Sequence, residues 1–210
     1  MECVGGFQFE ITILIDRGED ILMTEKRDFN SYFKSIPEMQ TERLILTAFS
    51  REDMPDYFDI IRDEEVQRFL GGGVPVFDEE PHVTNWLRNV NDRLLSRKLV
   101  FTWCIKEKES GKVIGRIDLG GFVRKSTAEI SYHIARNFWG YGIATEAVSR
   151  ITAFGTDELK LKRIQGVVRK ENQASIRVLE KNGYVQEGLL HYYPFGREFH
   201  DVVILARINI

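Results

Sequence analysis

The sequence predicts an α/β chain of the α+β kind, a mixed and mostly antiparallel sheet flanked by helices. Three observations carry this. Between Val100 and Ile134, three strand patterns are joined by short connections, as in an antiparallel meander. From Gly142 to Leu159 an apolar stripe at helical spacing leads into a strand at Arg163–Val168, the crossover that a parallel neighbour requires. An Asn172-capped helix then closes at Gly183, and two last strands follow.

In chain order, Phe7, Phe9, Ile11 and Ile13 alternate with polar residues. A strand, a turn at Asp16–Asp20 and a returning Ile21–Met23 strand are expected. Residues 1–40 are read as an N-terminal extension, a hairpin or a candidate dimer arm, and 41–210 as the main domain. Thr41–Thr47 reads as the first core strand. Ser50 is a suitable N-cap with Asp53 three residues on, and Met54, Tyr57, Phe58 and Ile61 share one helix face. A short helix with Val66, Phe69 and Leu70 ends at Gly71–Gly73, and Val74–Phe77 is a loop. Residues 78–98 form a third helix with Val83, Trp86, Leu87, Val90, Leu94 and Leu95 facing inward.

The meander strands are Val100–Lys106, Val113–Leu119 and Thr127–Ile134, with Gly120-Gly121 opening the second connection. On the third, Ala128, Ile130, Tyr132 and Ile134 share one face, and Glu129, Ser131 and His133 the other. Tyr184–Leu189 and Val202–Ile208 are the closing strands, joined through a Tyr193–Gly196 loop.

Length and composition bound the function. A chain of 210 residues with 43% hydrophobic and 29% charged residues can bury a core without staples. A formal net charge of −3 argues against nucleic-acid binding by bulk charge. Cys3 and Cys104 have no metal-ligand spacing, and Cys104 sits in an apolar run that reads as core. No stretch approaches the ~20 apolar residues of a membrane span, and the start lacks a secretory pattern. A reducing, cytoplasmic setting without membrane partners is expected.

The stretch that carries chemistry is Asn137-Phe138-Trp139-Gly140-Tyr141-Gly142-Ile143-Ala144-Thr145, where a strand ends, two glycines flank an aromatic and a helix begins. Backbone N–H groups at a helix N-terminus suit phosphate. On spacing alone, a plain strand-to-helix turn stays open. A dinucleotide fold would need a third glycine where Thr145 stands, and a P-loop would need Gly-Lys-Ser/Thr.

Taken with Thr41-Glu42-Arg43-Leu44, Asn172-Gln173-Ala174-Ser175, Glu180-Lys181-Asn182-Gly183-Tyr184 and His200-Asp201-Val202, this stretch resembles the GNAT superfamily of acetyl-CoA-dependent N-acetyltransferases, in its RimJ/RimL-like branch. The resemblance runs from about Thr41 to Ile208. It implies a sheet whose central strand pair splays to admit acetyl-CoA. Gly140, Tyr141, Gly142, Ile143, Ala144 and Thr145 would then hold the pyrophosphate, with Asn137 at the position the family fills with Gln or Arg. His133, Ile134 and Ala135 would pair with the pantetheine arm, Asn172 would touch its acetyl end, and Ser175 would lie near the thioester sulfur.

Acetyl transfer needs a neutral amine, a donor to the carbonyl oxygen and a proton for the leaving thiolate. Ser175 is the candidate acid and the Ile134 N–H the candidate donor. The glutamate that RimL-like enzymes place between the last two strands has no counterpart, since His191, Tyr192 and Tyr193 stand there. Glu129 and His133 are the remaining candidates for the base, and Tyr192 and Tyr193 for acceptor contacts. Glu129 and His133 are about 13 Å apart along a strand, too far for direct contact. An α-amine, with a pKa near 7.7–8, is about one-tenth to one-third neutral near neutral pH, whereas a lysine amine is neutral about one part in a thousand. A missing base therefore favours a protein N-terminus as acceptor. A small-molecule amine acetyltransferase and a non-catalytic acetyl-CoA-binding module are the alternatives.

Overall fold

The computed structural model describes residues 28–70, 80–195 and 198–210. The hairpin expected within 1–23, the Gly71–Gly73 stop and the Val74–Phe77 loop lie outside these residues. Eight strands form one sheet: β1 (Met39–Gln40), β2 (Leu44–Thr47), β3 (Val100–Glu107), β4 (Val113–Val123), β5 (Thr127–Ile134), β6 (Arg163–Arg169), β7 (Val185–Phe195) and β8 (Glu198–Ile208). Their order is β1-β2-β3-β4-β5-β6-β8-β7. Every neighbouring pair is antiparallel except β5 and β6, which the crossover makes parallel.

Alternation along the strands gives the sheet two apolar faces. Phe101, Trp103, Ile105, Ile117, Leu119, Ile130 and Ile134 face one side. They pack against α5 (Ile143–Ala153) and α6 (Gln173–Lys181). Cys104 lies on the other side, fully buried as expected, and burial pushes its thiol pKa up. That side packs against α1 (Met54–Arg62), α2 (Glu64–Gln67) and the long helical segment that begins with α3 (Glu80–Arg88) and continues to Ser96. Within that segment a wider π turn at Asn89–Arg93 precedes α4 (Leu94–Ser96). The Ser50 signal is realised one turn early: the Ser50 amide donates to Asp53 Oδ2 at 2.8 Å, and α1 itself starts at Met54.

Three expectations are corrected. The boundary drawn at residue 40 falls inside the fold. Phe33, Ile36 and Met39 are buried, Phe33 packs on Phe101 with ring centroids 4.4 Å apart, and Trp103 Nε1 donates to Pro37 O. Gly120-Gly121 does not end its strand. The chain bulges there, with Gly121 at φ +62°, and β4 continues to Val123, bringing Phe122 onto the Phe29, Phe33 and Phe101 rings. The Tyr193–Phe195 stretch is strand rather than loop. β7 is an edge strand, where Pro194 costs no ladder bond on the open side.

Candidate active site

The site opens where β5 leaves β6. Their parallel pairing covers only Thr127–Glu129 against Arg163–Gln165. Beyond it β6 stays with β8 as far as Arg169, while β5 runs on against β4 to Ile134. A wedge therefore separates Ile130–Ile134 from Gly166–Arg169. At its mouth stand the N-termini of α5 and α6.

The glycine turn shapes that mouth. Gly140 and Gly142 have φ +85° and +79°, conformations that cost other L-residues roughly 1–2 kcal/mol. Gly142 is the N-cap of α5, so the first-turn amides of Ile143, Ala144 and Thr145 have no partner within the helix. They border a cavity of about 310 Å³ with Gly140, Gly142, Tyr132, His133, Ile134, Asn172 and Ser175. Arg177 and Lys181 add positive charge along the same wall. Open space beyond Gly140, unpaired amides and flanking cations fit a pyrophosphate, and the wedge fits a narrow pantetheine arm. Gly142→Ala is expected to raise the acetyl-CoA Kd by roughly fivefold or more, because an alanine at φ +79° strains the turn by about 1 kcal/mol or more. Calorimetric titration reads it, and a Kd within twofold of wild type would count against the turn as the phosphate cradle.

The turn is held from outside by Arg43, whose Nη1 donates to Tyr141 O at 2.9 Å. Arg43 also pairs with Glu146 in the first turn of α5, through Nε at 2.6 Å and its own amide at 2.9 Å. Thr41 Oγ1 donates to the same carboxylate. Burial pushes the Glu146 carboxyl up, but hydrogen bonds from Thr41 and Arg43 outweigh it and hold it below the usual range. The Thr41–Leu44 segment thus fastens the start of α5 to the sheet.

Strand parity sorts the residues of β5. The Ala135 amide donates to Ile114 O at 2.8 Å, and its carbonyl accepts from Phe138 N. Alternation then turns the main-chain groups of Ile134 and Tyr132 toward the wedge, where no strand pairs with them. The Ile134 carbonyl accepts from Trp139 Nε1 at 2.8 Å, which leaves its N–H as the group directed at the cleft. The expected Ala135 contact is therefore corrected: both of its main-chain groups are engaged elsewhere. Asn137 and Tyr141 stand at the rim of the turn. Asn137 is exposed in a short 3-10 turn (Arg136–Phe138), Tyr141 is 71% exposed, and neither borders the cavity.

At the inner end of the cleft, Asn172 Oδ1 accepts from the Ser175 amide at 3.1 Å, which caps α6 and fixes Ser175. Ser175 Oγ lies 2.8 Å from Tyr132 Oη, and Tyr132 Oη also reaches Ser175 O at 3.2 Å. Burial raises the Tyr132 pKa against the opposing Ser175 hydrogen bond, so the phenol keeps its proton. Tyr132 is a site residue that alternation alone assigns to the core. A polar tip on an apolar strand face is the signal that marks it.

A second cavity, of about 250 Å³, meets the first at Phe69, Leu70, Tyr132, His133, Asn172 and Ser175. It passes to the opposite face of the sheet, where the register sets Arg116 beside His133 and Asp118 beside Ser131. Arg116 Nε donates to Asp118 Oδ1 at 3.0 Å, and Ser131 Oγ lies 3.3 Å from Asp118 Oδ2. His133 stacks near Tyr57 with ring centroids 5.7 Å apart, and its Nε2 is buried without a hydrogen-bond partner. Burial, assisted by the Arg116 charge, pushes the His133 pKa down to about 3. Its ring is neutral at physiological pH.

Other sequence candidates are not brought into this junction. Glu129 is exposed where β5 still pairs with β6, accepts from Gln165 Nε2 at 3.5 Å, and borders a separate depression with Gly120, Gly121 and Val123. Tyr192 is 75% exposed and stacks on Phe199, and neither Tyr192 nor Tyr193 borders the two cavities. Phe195, further along the same strand, does. Among the described residues, no group of three or more His, Cys, Asp or Glu could hold a metal ion, and no helix is long and apolar enough to cross a membrane.

The chain is similar to known acetyltransferases in sequence and in fold. The family model described as an acetyltransferase (GNAT) domain matches residues 43–185. The uncharacterized N-acetyltransferase YoaA of Bacillus subtilis is 30% identical over 160 residues, covering 76% of this chain and 89% of its own. A spermidine N-acetyltransferase from Vibrio cholerae, solved with CoA and spermine, superposes with a TM-score of 0.66 at 20% identity, over 80% of this chain and 96% of its own. RimL, a ribosomal L7/L12 α-N-protein acetyltransferase solved with coenzyme A, gives 0.69 at 21% identity, over 83% and 98%.

Proposed function

Because the chain belongs to the GNAT family of acetyltransferases, which draw on acetyl-CoA, we propose that it acetylates a primary amine, with a protein N-terminal α-amine as the preferred acceptor. The observation that supports a direct transfer is the junction of the two cavities. A thioester entering along β5 and an amine entering from the opposite face of the sheet would meet beside Ser175.

Acetyl-CoA supplies an activated acyl group and a thiolate leaving group. The chain's residues do the rest. First-turn amides of α5 take the phosphates, and the Ile134 N–H donates toward the acyl oxygen. Ser175 Oγ–H supplies a proton to the departing sulfur, while the Tyr132 hydroxyl, 2.8 Å from Ser175 Oγ, orients it. His133 has a ring too weakly basic to store a proton near neutrality, and Glu129 stands outside the junction. An acceptor that arrives partly neutral is favoured under these conditions, which supports an α-amine over a lysine side chain.

Thiol release measured across a panel of N-terminal peptides, lysine peptides and polyamines tests this reading. Peptides with a free α-amine and no lysine are expected to turn over at least tenfold faster than N-blocked lysine peptides. Faster turnover on lysine would overturn the α-amine preference. A small-molecule amine is the second reading, favoured by the confined acceptor cavity of about 250 Å³, and polyamine turnover above that of every peptide would establish it.

A further inference from the structure

We propose that Asp118 is the carboxylate that receives the acceptor amine. The inference rests on the acetyltransferase reading and deepens it, by assigning the proton acceptor that neither Glu129 nor His133 provides. Asp118 borders the acceptor cavity on the same sheet face as His133, two register positions from it along β4. It is the one carboxylate among the described residues bordering that cavity.

Its two oxygens are unequally engaged. Oδ1 is fixed by the Arg116 Nε at 3.0 Å, whereas Oδ2 has only the Ser131 hydroxyl at 3.3 Å. The Asp118 side chain is 14% exposed, so a carboxylate held by Arg116 keeps acceptor capacity in a place shielded from bulk water. An ammonium group arriving from the α1–α3 side finds this oxygen, and the unpartnered His133 Nε2, which borders the same cavity, can accept a second N–H. Phe69, Leu70 and Phe195 supply apolar walls for the acceptor's first side chain.

The proton balance is simple. A proton passes from the ammonium to Asp118 Oδ2, giving a carboxylic acid and a neutral amine. The amine's lone pair forms the C–N bond as the C–S bond breaks, and the thiolate takes the Ser175 hydroxyl proton. The nitrogen's remaining surplus proton then restores the Ser175 hydroxyl, and Asp118 returns the first proton to solvent. A carboxylate is a weaker base than either amine. The gap is smaller for an α-amine near 7.7–8 than for a lysine near 10.4, so the substrate preference is kept.

Asp118→Asn removes the charge and keeps the shape. It is expected to lower kcat/KM for the amine by about 10- to 100-fold, with the acetyl-CoA Kd by calorimetry within twofold of wild type. Asp118→Glu keeps Arg116's counter-charge, and with it the fold, but displaces the carboxylate by one methylene. A loss of about three- to tenfold is expected there. Amine kcat/KM within twofold of wild type in either variant would overturn the assignment. So would an acetyl-CoA affinity that falls by the same factor as kcat/KM, since that marks Asp118 as no more than the partner of Arg116. A wild-type protein that binds acetyl-CoA but acetylates no amine would overturn the acetyltransferase reading, and this inference with it.

Discussion

Ser175→Ala is expected to lower kcat by about 100-fold or more, with acetyl-CoA affinity within about threefold of wild type. The size follows from the usual worth of a placed general acid, 10²- to 10⁴-fold. The variant isolates that role because little else depends on the hydroxyl. The cap of α6 runs from the residue 175 amide to Asn172 Oδ1, and alanine keeps that amide. Tyr132 Oη retains the residue 175 carbonyl, 3.2 Å away, so no buried phenol is orphaned. Tyr132→Phe is expected to cost less, about three- to tenfold in kcat, because it loosens the serine without removing the proton donor. If the two hydroxyls act as one unit, the double variant is no slower than Ser175→Ala alone. Turnover of Ser175→Ala within threefold of wild type would remove the serine from the mechanism.

The parts of this site that were legible in the sequence are local ones. Two glycines before a helix, an asparagine three residues before a serine at a helix start, and a glycine after the helix are each fixed by neighbouring φ/ψ values or by a single turn of backbone. Gly183 is left-handed and Asn172 caps α6, both as read, and Gly142 is left-handed as well. Long-range parts were not legible. Glu129 shares a face with His133 by alternation, but which end of β5 opens depends on how far β6 stays paired, and that is set by the crossover. Ala135 and Ile134 look equivalent until the β4 register hands the Ala135 amide to Ile114. Asp118 gave no motif. It becomes a site residue only because β4 and β5 align it with Ser131 and His133 on the face that receives α1–α3. The closing hairpin was cut short because Pro194 and Gly196 read as turn residues, whereas an edge strand tolerates proline.

Glu146→Ala is expected to cost about 2–3 kcal/mol of stability and to weaken acetyl-CoA binding, although Glu146 borders neither cavity. Its carboxylate accepts from Thr41 Oγ1, the Arg43 amide and the Arg43 guanidinium, and these tie the first turn of α5 to the strand edge. Hydrogen bonds to a charged group contribute about 1.5–3 kcal/mol, and the 44% exposure of the Arg43 side chain argues against summing them. For a domain of this size the loss corresponds to a Tm lower by about 5–10 °C. Arg43 without Glu146 also loses its fixed position against Tyr141 O, so the glycine turn becomes free to shift and the Kd for acetyl-CoA rises. The pH dependence has a definite sign. The folded-state pKa of Glu146 is depressed, so its contribution is complete above the ordinary glutamate pKa of about 4.3 and is lost as pH falls through the lower folded value. Wild type and Glu146→Gln should therefore differ in stability by a constant amount from neutrality down to about pH 5. Their denaturation curves should then converge on further acidification. A gap that stays constant or widens in acid would show that Glu146 holds the turn by shape and not by charge.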